Sequence, residues 1–225
     1  EIRRSNDTPR KVGEMAANIT IPIYYGKSVI NVEVPKERTT IVSPSYPQSL
    51  GNEIEAIDNA INNPQGTKPL REIQNSGAKV SISICDVTRA QPREQMLKAI
   101  ISNLPDINRE DITLLIATGS HRNCTNDEII DMVGKEIATK YRVVNHNAYD
   151  SSLLRHLGKS SNNVDVFLNK EWVNADLRIT TGFVEPHFFA GFSGGPKMVA
   201  PGLAGINTIL DLHNFDRIAH ENSTW

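Results

Sequence analysis

Residues 185–202 decide the fold, and they read Glu185-Pro-His-Phe-Phe-Ala-Gly-Phe-Ser-Gly-Gly-Pro-Lys-Met-Val-Ala-Pro-Gly202. An apolar run over 177–182 precedes them and predicts a buried strand, and a helical pattern begins near Ala204. Open α/β sheets bind ligands at glycine-rich loops of this kind, between a strand and a helix. Four glycines permit backbone conformations that a Cβ would forbid. One imidazole, His187, and one amine, Lys197, lie within the loop, which therefore predicts a ligand site rather than a plain surface loop.

The composition of the chain narrows the class of protein. It has 225 residues, of which 39% are hydrophobic and 22% charged, and a formal net charge of −2, which is ordinary for a soluble globular domain. Lys and Arg form no long cluster, so we expect no nucleic-acid partner. No apolar run approaches the roughly 20 residues of a membrane span. Two cysteines, Cys85 and Cys124, are too few for a disulfide framework, and we expect a cytoplasmic protein.

The N-terminal part carries the pattern of a β-hairpin. Two runs rich in β-branched and aromatic residues, 19–25 and 28–34, flank the sequence Gly26-Lys27. Such runs around a glycine-containing turn predict two antiparallel strands. A further short strand is predicted over 39–43, where two prolines soon follow.

From residue 79 onward, strand patterns alternate with helical patterns. Strands are predicted over 79–85, 111–117, 141–145, 164–168 and 177–181. This alternation is typical of a mostly parallel sheet with helices on both faces and right-handed crossovers. We therefore predict a Rossmann-like α/β fold, with an N-terminal hairpin, over a single domain of residues 18–225. The polar residues 1–17 are predicted to be disordered or extended.

Helix boundaries are indicated at several positions. Apolar residues recur at helical spacing over 52–61, and Pro92 precedes another helical pattern. The sequence from Thr125 to Glu128 matches a capping box, which places a helix N-terminus at Thr125. A final helix is predicted from near Ala204 almost to Trp225, because no terminator interrupts its pattern.

Polar side chains that could bind a ligand or take part in catalysis follow three of the predicted strands. Asp86-Val-Thr-Arg89 follows the first, Thr118-Gly-Ser-His-Arg122 follows the second, and the loop with His187 and Lys197 follows the last. Because the carboxyl ends of parallel strands lie along one edge of a sheet, we expect these segments to converge on one crevice.

Each of these residues also has a plain structural explanation. Asp86 could cap a turn, Arg89 could be a surface cation, and His121 could be a hydrogen-bonded loop residue. Three other histidines follow no such loop and are assigned structural roles: His146, His156 and His220. The coincidence of Asp and Arg, then His, then His and Lys on three strand ends favours a functional site.

Two familiar phosphate-binding motifs are not matched. The segment from Gly191 to Lys197 resembles a P-loop, but Pro196 separates Gly from Lys, and Met198 replaces the Ser or Thr that would bind magnesium. No G-x-G-x-x-G fingerprint follows a strand, so a dinucleotide site is weakly supported.

Taken together, the motifs resemble those of the nickel-pincer lactate racemase family, in its N-terminal domain. The resemblance covers about residues 60–215, and its most specific part is the long loop 185–197, followed by Pro201-Gly202 and His213. Members of that family are about twice as long as this chain and have a second domain that closes the cleft.

The resemblance implies a cofactor derived from nicotinic acid mononucleotide, the nickel-pincer nucleotide. Its pyridinium ring binds Ni(II) through a ring carbon and two sulfur-containing arms. In the family one arm is joined to a lysine as a thioamide, and that position is Lys197 here. The fourth nickel ligand falls on His213. The Asp86, Val87, Thr88 and Arg89 positions correspond to cofactor-binding residues.

The resemblance further implies racemisation or epimerisation of a 2-hydroxy acid such as lactate by reversible hydride transfer. The catalytic acid–base pair would be His121 and His187, one on each side of the substrate. Arg89 would bind the substrate carboxylate. The chain would also depend on cofactor-synthesis enzymes as partners, and its oligomeric state is left open.

Two other functions remain alternatives at this level. A non-catalytic nucleotide- or metal-binding module could keep the same fold without turnover. A phosphate-binding transferase could use the glycine-rich loop, although Met198 disfavours it.

Overall fold

The computed structural model describes residues 17–26 and 28–223. The described residues form two compact units, one up to Ser49 and the other from Leu50 onward. Of the segment 1–17 that we predicted to be disordered or extended, residues 1–16 lie outside the described residues. The single domain over 18–225 stays a prediction.

The first unit contains the predicted hairpin, which is confirmed. Strand β1 (Asn18–Tyr25) pairs antiparallel with β2 (Ser28–Pro35), from Asn18 opposite Pro35 to Tyr25 opposite Ser28. Gly26 has a φ of 60°, which few other residues adopt. The predicted strand over 39–43 is wrong, since those residues have no regular structure. The Thr39 hydroxyl instead donates a 2.8 Å hydrogen bond to the Pro35 carbonyl, next to a short 3-10 turn.

The second unit alternates strands and helices as predicted. Its strands are β3 (Val80–Cys85), β4 (Ile112–Ala117), β5 (Arg142–Asn145), β6 (Leu154–Lys159), β7 (Asp165–Asn169), β8 (Leu177–Thr180), β9 (Pro186–His187) and β10 (Gly191–Phe192). Its helices are α1 (Glu53–Asn62), α2 (Leu70–Ile73), α3 (Arg93–Ser102), α4 (Asn126–Val133), α5 (Lys135–Lys140), α6 (Lys170–Val173), α7 (Ile206–Leu212) and α8 (Phe215–Ile218). Four strands form a parallel sheet in the order β5-β4-β3-β8.

Apolar side chains cover both faces of this sheet. On one face Ile82 of β3 and Leu114 of β4 pack in a buried cluster that includes Leu97 of α3. On the other face Leu115 belongs to a second buried cluster, which includes Ile209 of α7. Each such side chain contributes about 1.5–3 kcal/mol when it is fully buried. The predicted α/β fold with helices on both faces is therefore confirmed.

The predicted helix N-termini are also observed. The Thr125 hydroxyl accepts a hydrogen bond from the Glu128 N–H at 3.3 Å, and the Glu128 carboxylate accepts one from the Thr125 N–H at 2.8 Å. The Asn52 side chain caps α1 in the same way by accepting from Glu55 N–H. The longest described helices have ten residues, and no helix in this part of the chain could cross a membrane.

Two predicted elements differ in the structure. The strand predicted over 164–168 is β7, which pairs antiparallel with β6 and lies outside the parallel sheet. The final helix ends at Leu212 and does not run on toward Trp225. Asn214 begins a new short helix, because its side chain accepts a 3.0 Å hydrogen bond from the Arg217 N–H.

His146, which directly follows β5, is fully buried and hydrogen-bonded to Ala204 and to Asn169 of β7. Its Nε2 lies 2.8 Å from the Ala204 carbonyl, and its Nδ1 lies 3.1 Å from the Asn169 amide nitrogen. The neutral ring satisfies both contacts, by donating from Nε2 and accepting at Nδ1. Burial lowers the pKa of His146 below its usual value. The structural role predicted for this histidine agrees with these contacts.

The pKa of His146 predicts a pH-dependent stability. Because the unfolded chain binds a proton more readily than the buried ring, stability falls as pH drops below about 6.5, the unfolded pKa. His146→Gln should lower the free energy of unfolding near neutral pH by about 1–3 kcal/mol. It should also lose less stability than wild type between about pH 7 and pH 5 in urea denaturation. The exposed His156→Gln is the control, and an equal pH dependence in wild type and His146→Gln would contradict the assignment.

Candidate functional site

One cavity lies at the carboxyl ends of β3, β4 and β8. It has a volume of about 480 Å³. Seven of the eight residues predicted for the site line it: Asp86, Thr88, Arg89, His121, His187, Lys197 and His213. The exception is Val87, which is exposed and does not line the cavity. The predicted convergence of three strand ends on one crevice is therefore observed.

Gly202 brings the glycine-rich loop against the end of β4. Its N–H donates to the Lys197 carbonyl at 2.9 Å, and its carbonyl accepts from the Gly119 N–H at 2.9 Å. A Cβ at Gly202 would lie 2.8 Å from the Ala117 Cβ and 2.9 Å from the Lys197 carbonyl oxygen. Only glycine fits this approach, and it fixes the loop that carries Lys197 beside the loop that carries His121.

The segment with His187 is held by a buried serine. The Ser193 hydroxyl accepts from the Glu185 N–H at 2.9 Å, and the Ser193 N–H donates to the Glu185 carbonyl at 2.9 Å. These bonds close the two-residue strands β9 and β10 into a small hairpin. Ser83 in β3 donates to the Met198 carbonyl at 2.8 Å, so the far end of the loop is tied to the sheet.

Asp86 links the first strand end to the second. Its side chain is almost fully buried, and its Oδ2 lies 2.6 Å from His121 Nδ1. Its Oδ1 accepts from the Thr88 hydroxyl at 2.6 Å and from the Thr88 N–H at 3.1 Å. His121 itself is half-exposed, with Nε2 left free of the Asp86 contact.

Two residues that the sequence did not single out hold the Asp86–Arg89 loop. The buried Arg93 guanidinium donates to the Cys85 carbonyl at 2.8 Å, to the Arg89 carbonyl at 2.6 Å and to the Asp86 carbonyl. Gln91 accepts from the Cys85 N–H at 2.9 Å and donates to the Thr181 hydroxyl at 2.8 Å. No signal in the sequence identifies them, because an Arg and a Gln at a helix start are usually exposed.

Phe189 lies among the three basic groups of the long loop and α7. Its ring makes edge contacts with His187 at 4.6 Å and with His213 at 5.5 Å between centroids. Lys197 Nζ lies 5.8 Å from the same ring centroid. His187 Nδ1 is buried and has no hydrogen-bond partner among the residues that the structure describes. Such an orphaned polar atom is expected where a ligand completes a site.

Basic groups in this cavity shift one another's protonation. Burial and then the Arg89 charge lower the pKa of Lys197. Burial, followed by the Lys197 and Arg89 charges, lowers the pKa of His187. A larger fraction of Lys197 is therefore the neutral, nucleophilic amine near neutral pH. His187 is correspondingly held in its neutral form, which can accept a proton.

His213 lies at the C-terminal cap of α7, not within a continuing helix. Its Nδ1 is 2.7 Å from the Ile209 carbonyl, so that nitrogen donates its proton and Nε2 keeps a lone pair. A backbone carbonyl fixes metal-binding histidines in this tautomer. His213 can therefore supply a metal ligand on the cavity wall.

A conventional protein metal centre is not built here. Within residues 17–26 and 28–223, no three His, Cys, Asp or Glu side chains come together in a way that could hold a metal ion. A metal bound by His213 would need its remaining donors from a cofactor. The residues present fit a group that brings its own donors and needs one imidazole.

A family model and the most similar relatives that were found all point to the same protein family. Residues 25–225 match the family model for the lactate racemase N-terminal domain. The lactate racemase of Thermoanaerobacterium thermosaccharolyticum is 34% identical over 202 residues, which are 88% of this chain and 47% of the relative. The lactate racemase of Lactiplantibacillus plantarum is 31% identical over 201 residues, 87% of this chain and 47% of the relative. The chain thus spans about half the length of these relatives.

Solved structures show the same fold. The lactate racemase apoprotein from Thermoanaerobacterium thermosaccharolyticum matches with a TM-score of 0.78 at 34% identity, over 92% of this chain and 49% of that chain. A Thermotoga maritima protein matches with a TM-score of 0.59 at 22% identity, over 73% of this chain and 42% of that chain. The second match supports the fold alone.

The lowered pKa of Lys197 predicts unusual reactivity toward acylating reagents. In competitive labelling followed by peptide mass spectrometry, Lys197 should reach half-maximal labelling at a lower pH than Lys98, whose pKa Glu94 raises. Arg89→Gln should move the Lys197 midpoint upward, because it removes a neighbouring positive charge. Equal midpoints for Lys197 and Lys98 would show that the cavity does not activate this amine.

Proposed function

The chain belongs to the lactate racemase N-terminal domain family, and from that membership we propose that it supplies the cofactor-holding half of a 2-hydroxy acid racemase or epimerase. The observation that carries the proposal is the convergence of two histidines, an arginine, an activated lysine and a third histidine on one cavity. Lactate is the substrate named for the two relatives, and a lactate-like hydroxy acid is the proposed substrate here.

The proposed cofactor is the nickel-pincer nucleotide. Lys197 would carry it through a thioamide, and the lowered pKa of this amine supports such a bond. His213 would offer Nε2 to nickel, which accepts imidazole nitrogen. Asp86, Val87, Thr88 and Arg89 are the proposed nucleotide-binding segment, although Val87 is exposed and does not line the cavity. When bound, this cofactor supplies an acceptor and donor of hydride.

The proposed acid–base pair is His121 and His187. Inversion at the α-carbon requires hydride to leave one face of that carbon and return to the opposite face, while one group takes the hydroxyl proton and another returns a proton to the oxygen. His121 comes from the end of β4 and His187 from the loop after β8, so the two groups reach the cavity from different strands. The lowered pKa of His187 keeps it able to accept the hydroxyl proton at neutral pH.

Arg89 is the proposed carboxylate site. It follows β3, which lies between β4 and β8 in the sheet, so its loop begins between the loops of the two histidines. A guanidinium can bind a carboxylate through two parallel hydrogen bonds. A substrate whose carboxylate is bound by Arg89 would have its α-carbon between the loops that carry His121 and His187. At present Arg89 Nε lies 3.4 Å from the Glu185 carboxylate, a half-exposed ion pair that another carboxylate could replace.

We further propose that cofactor-synthesis enzymes are partners and that the chain acts in the cytoplasm. A non-catalytic nucleotide- or metal-binding module remains the second candidate.

Substitution of His121 and His187 distinguishes the proposed racemase from the non-catalytic module. In cofactor-loaded protein that also contains the half found in the longer relatives, His121→Ala and His187→Ala should each lower racemisation by the roughly 10²–10⁴-fold typical of a lost general acid or base. The double variant should be little worse than either, because both act in one sequence. Racemisation is measured from each enantiomer by chiral chromatography.

His156→Ala provides the matched control, since this histidine is exposed and does not line the cavity. It should leave racemisation unchanged. Near-normal racemisation by His121→Ala in both directions would contradict the acid–base role. Bound cofactor without any turnover in the wild-type protein would favour the non-catalytic module.

A further inference from the structure

A directional series of hydrogen bonds joins Arg89 to His121. The Arg89 guanidinium donates to the Thr88 hydroxyl at 3.2 Å, and that hydroxyl donates to Asp86 Oδ1 at 2.6 Å. Asp86 Oδ2 then lies 2.6 Å from His121 Nδ1. The series joins the proposed carboxylate site to one of the proposed acid–base groups through two side chains.

The chemistry of the groups fixes the direction of each bond. Arginine only donates, a hydroxyl has a single proton to give, and an ionised carboxylate only accepts. The Thr88 proton is used on Asp86, so its oxygen is free to accept from Arg89. At its other oxygen Asp86 can only accept, and His121 must therefore carry its proton on Nδ1.

Asp86 cannot easily turn away from this arrangement. The Thr88 N–H also donates to Oδ1 at 3.1 Å, so one carboxylate oxygen is bound by a backbone group as well as by a hydroxyl. The backbone on either side is held by the buried Arg93, which donates to the Asp86 and Arg89 carbonyls. Asp86 is buried, with 4% exposure, so water does not compete strongly for its oxygens.

We propose that Asp86 is a positioning residue that fixes His121 in the Nδ1–H tautomer, with Thr88 orienting the carboxylate. Nε2 then becomes the nitrogen that exchanges protons with a ligand. The tautomer assignment stands on the contacts alone, and its catalytic consequence rests on the proposed function. This role differs from the nucleotide-binding role that family resemblance implies for Asp86.

Asp86→Asn tests the proposal because it should invert the tautomer. The Thr88 N–H needs an acceptor, so the amide oxygen of the new side chain should face Thr88 and its NH₂ should face His121. An NH₂ donor pairs only with an unprotonated Nδ1, and His121 should therefore become the Nε2–H tautomer. Two-dimensional ¹H–¹⁵N spectra of the imidazole nitrogens in the ¹⁵N-labelled chain, above the titration of the ring, report which nitrogen is protonated.

Asp150→Asn is a matched control. The Asp150 carboxylate accepts from the Ser152 N–H at 2.9 Å and from the Ser152 hydroxyl at 2.6 Å, the same local turn as at Asp86 and Thr88. The Asp150 carboxylate forms no hydrogen bond or ion pair with a histidine in the described part of the chain. Its substitution should leave the His121 signals unchanged.

Two results would overturn the proposal. One is a wild-type His121 protonated on Nε2, which the wild-type spectrum tests even if Asp86→Asn does not fold. The other is an Nδ1–H tautomer that persists in folded Asp86→Asn. In cofactor-loaded, racemising protein the inverted tautomer should lower kcat by about 10²-fold or more with a much smaller change in KM. An inverted tautomer with unchanged kcat would support the positioning contact and count against the acid–base role of His121.

Discussion

The candidate site depends on one close backbone approach, between Gly202 and the end of β4. The Gly119 N–H donates to the Gly202 carbonyl, and the space beside Ala117 has no room for a Cβ. This approach joins the loop after β8 to the loop after β4, although more than eighty residues separate them in sequence. Without it Lys197 would not be held beside the segment that carries His121. The chemistry of the site therefore rests on a residue with no side chain.

The cavity gathers positive charge that a ligand would have to balance. The pKa of Lys197 is lowered by burial and by Arg89, and the pKa of His187 is lowered by burial and then by Lys197, Arg89 and His213. A phosphate-bearing nucleotide and a substrate carboxylate are ligands of the required sign. If Lys197 became a thioamide, its charge would be lost, and the pKa of His187 would rise toward its usual value. Cofactor attachment and acid–base chemistry would thus be electrostatically linked.

Local sequence signals predicted much of this arrangement. The capping box at Thr125 and the polar residues after three apolar strands depend on neighbours in sequence, and they were found as predicted. The early end of α7 was missed although its signal is local, since the Asn214 side chain caps the next short helix at the Arg217 N–H. The antiparallel β6–β7 pair was missed because pairing direction depends on tertiary context. Arg93 was missed for a related reason, since its burial is stabilised by carbonyls that only the folded loop brings together.

We propose that Lys197 and His213 together hold a nickel-bearing nucleotide. The most direct test of this proposal is intact mass and nickel analysis of the chain purified from cells that also express the cofactor-synthesis enzymes. We predict a nucleotide-sized adduct that peptide mapping places on Lys197, with stoichiometric nickel. His213→Ala should keep the adduct and lose nickel. An adduct on another lysine, or nickel retained in full by His213→Ala, would contradict the account.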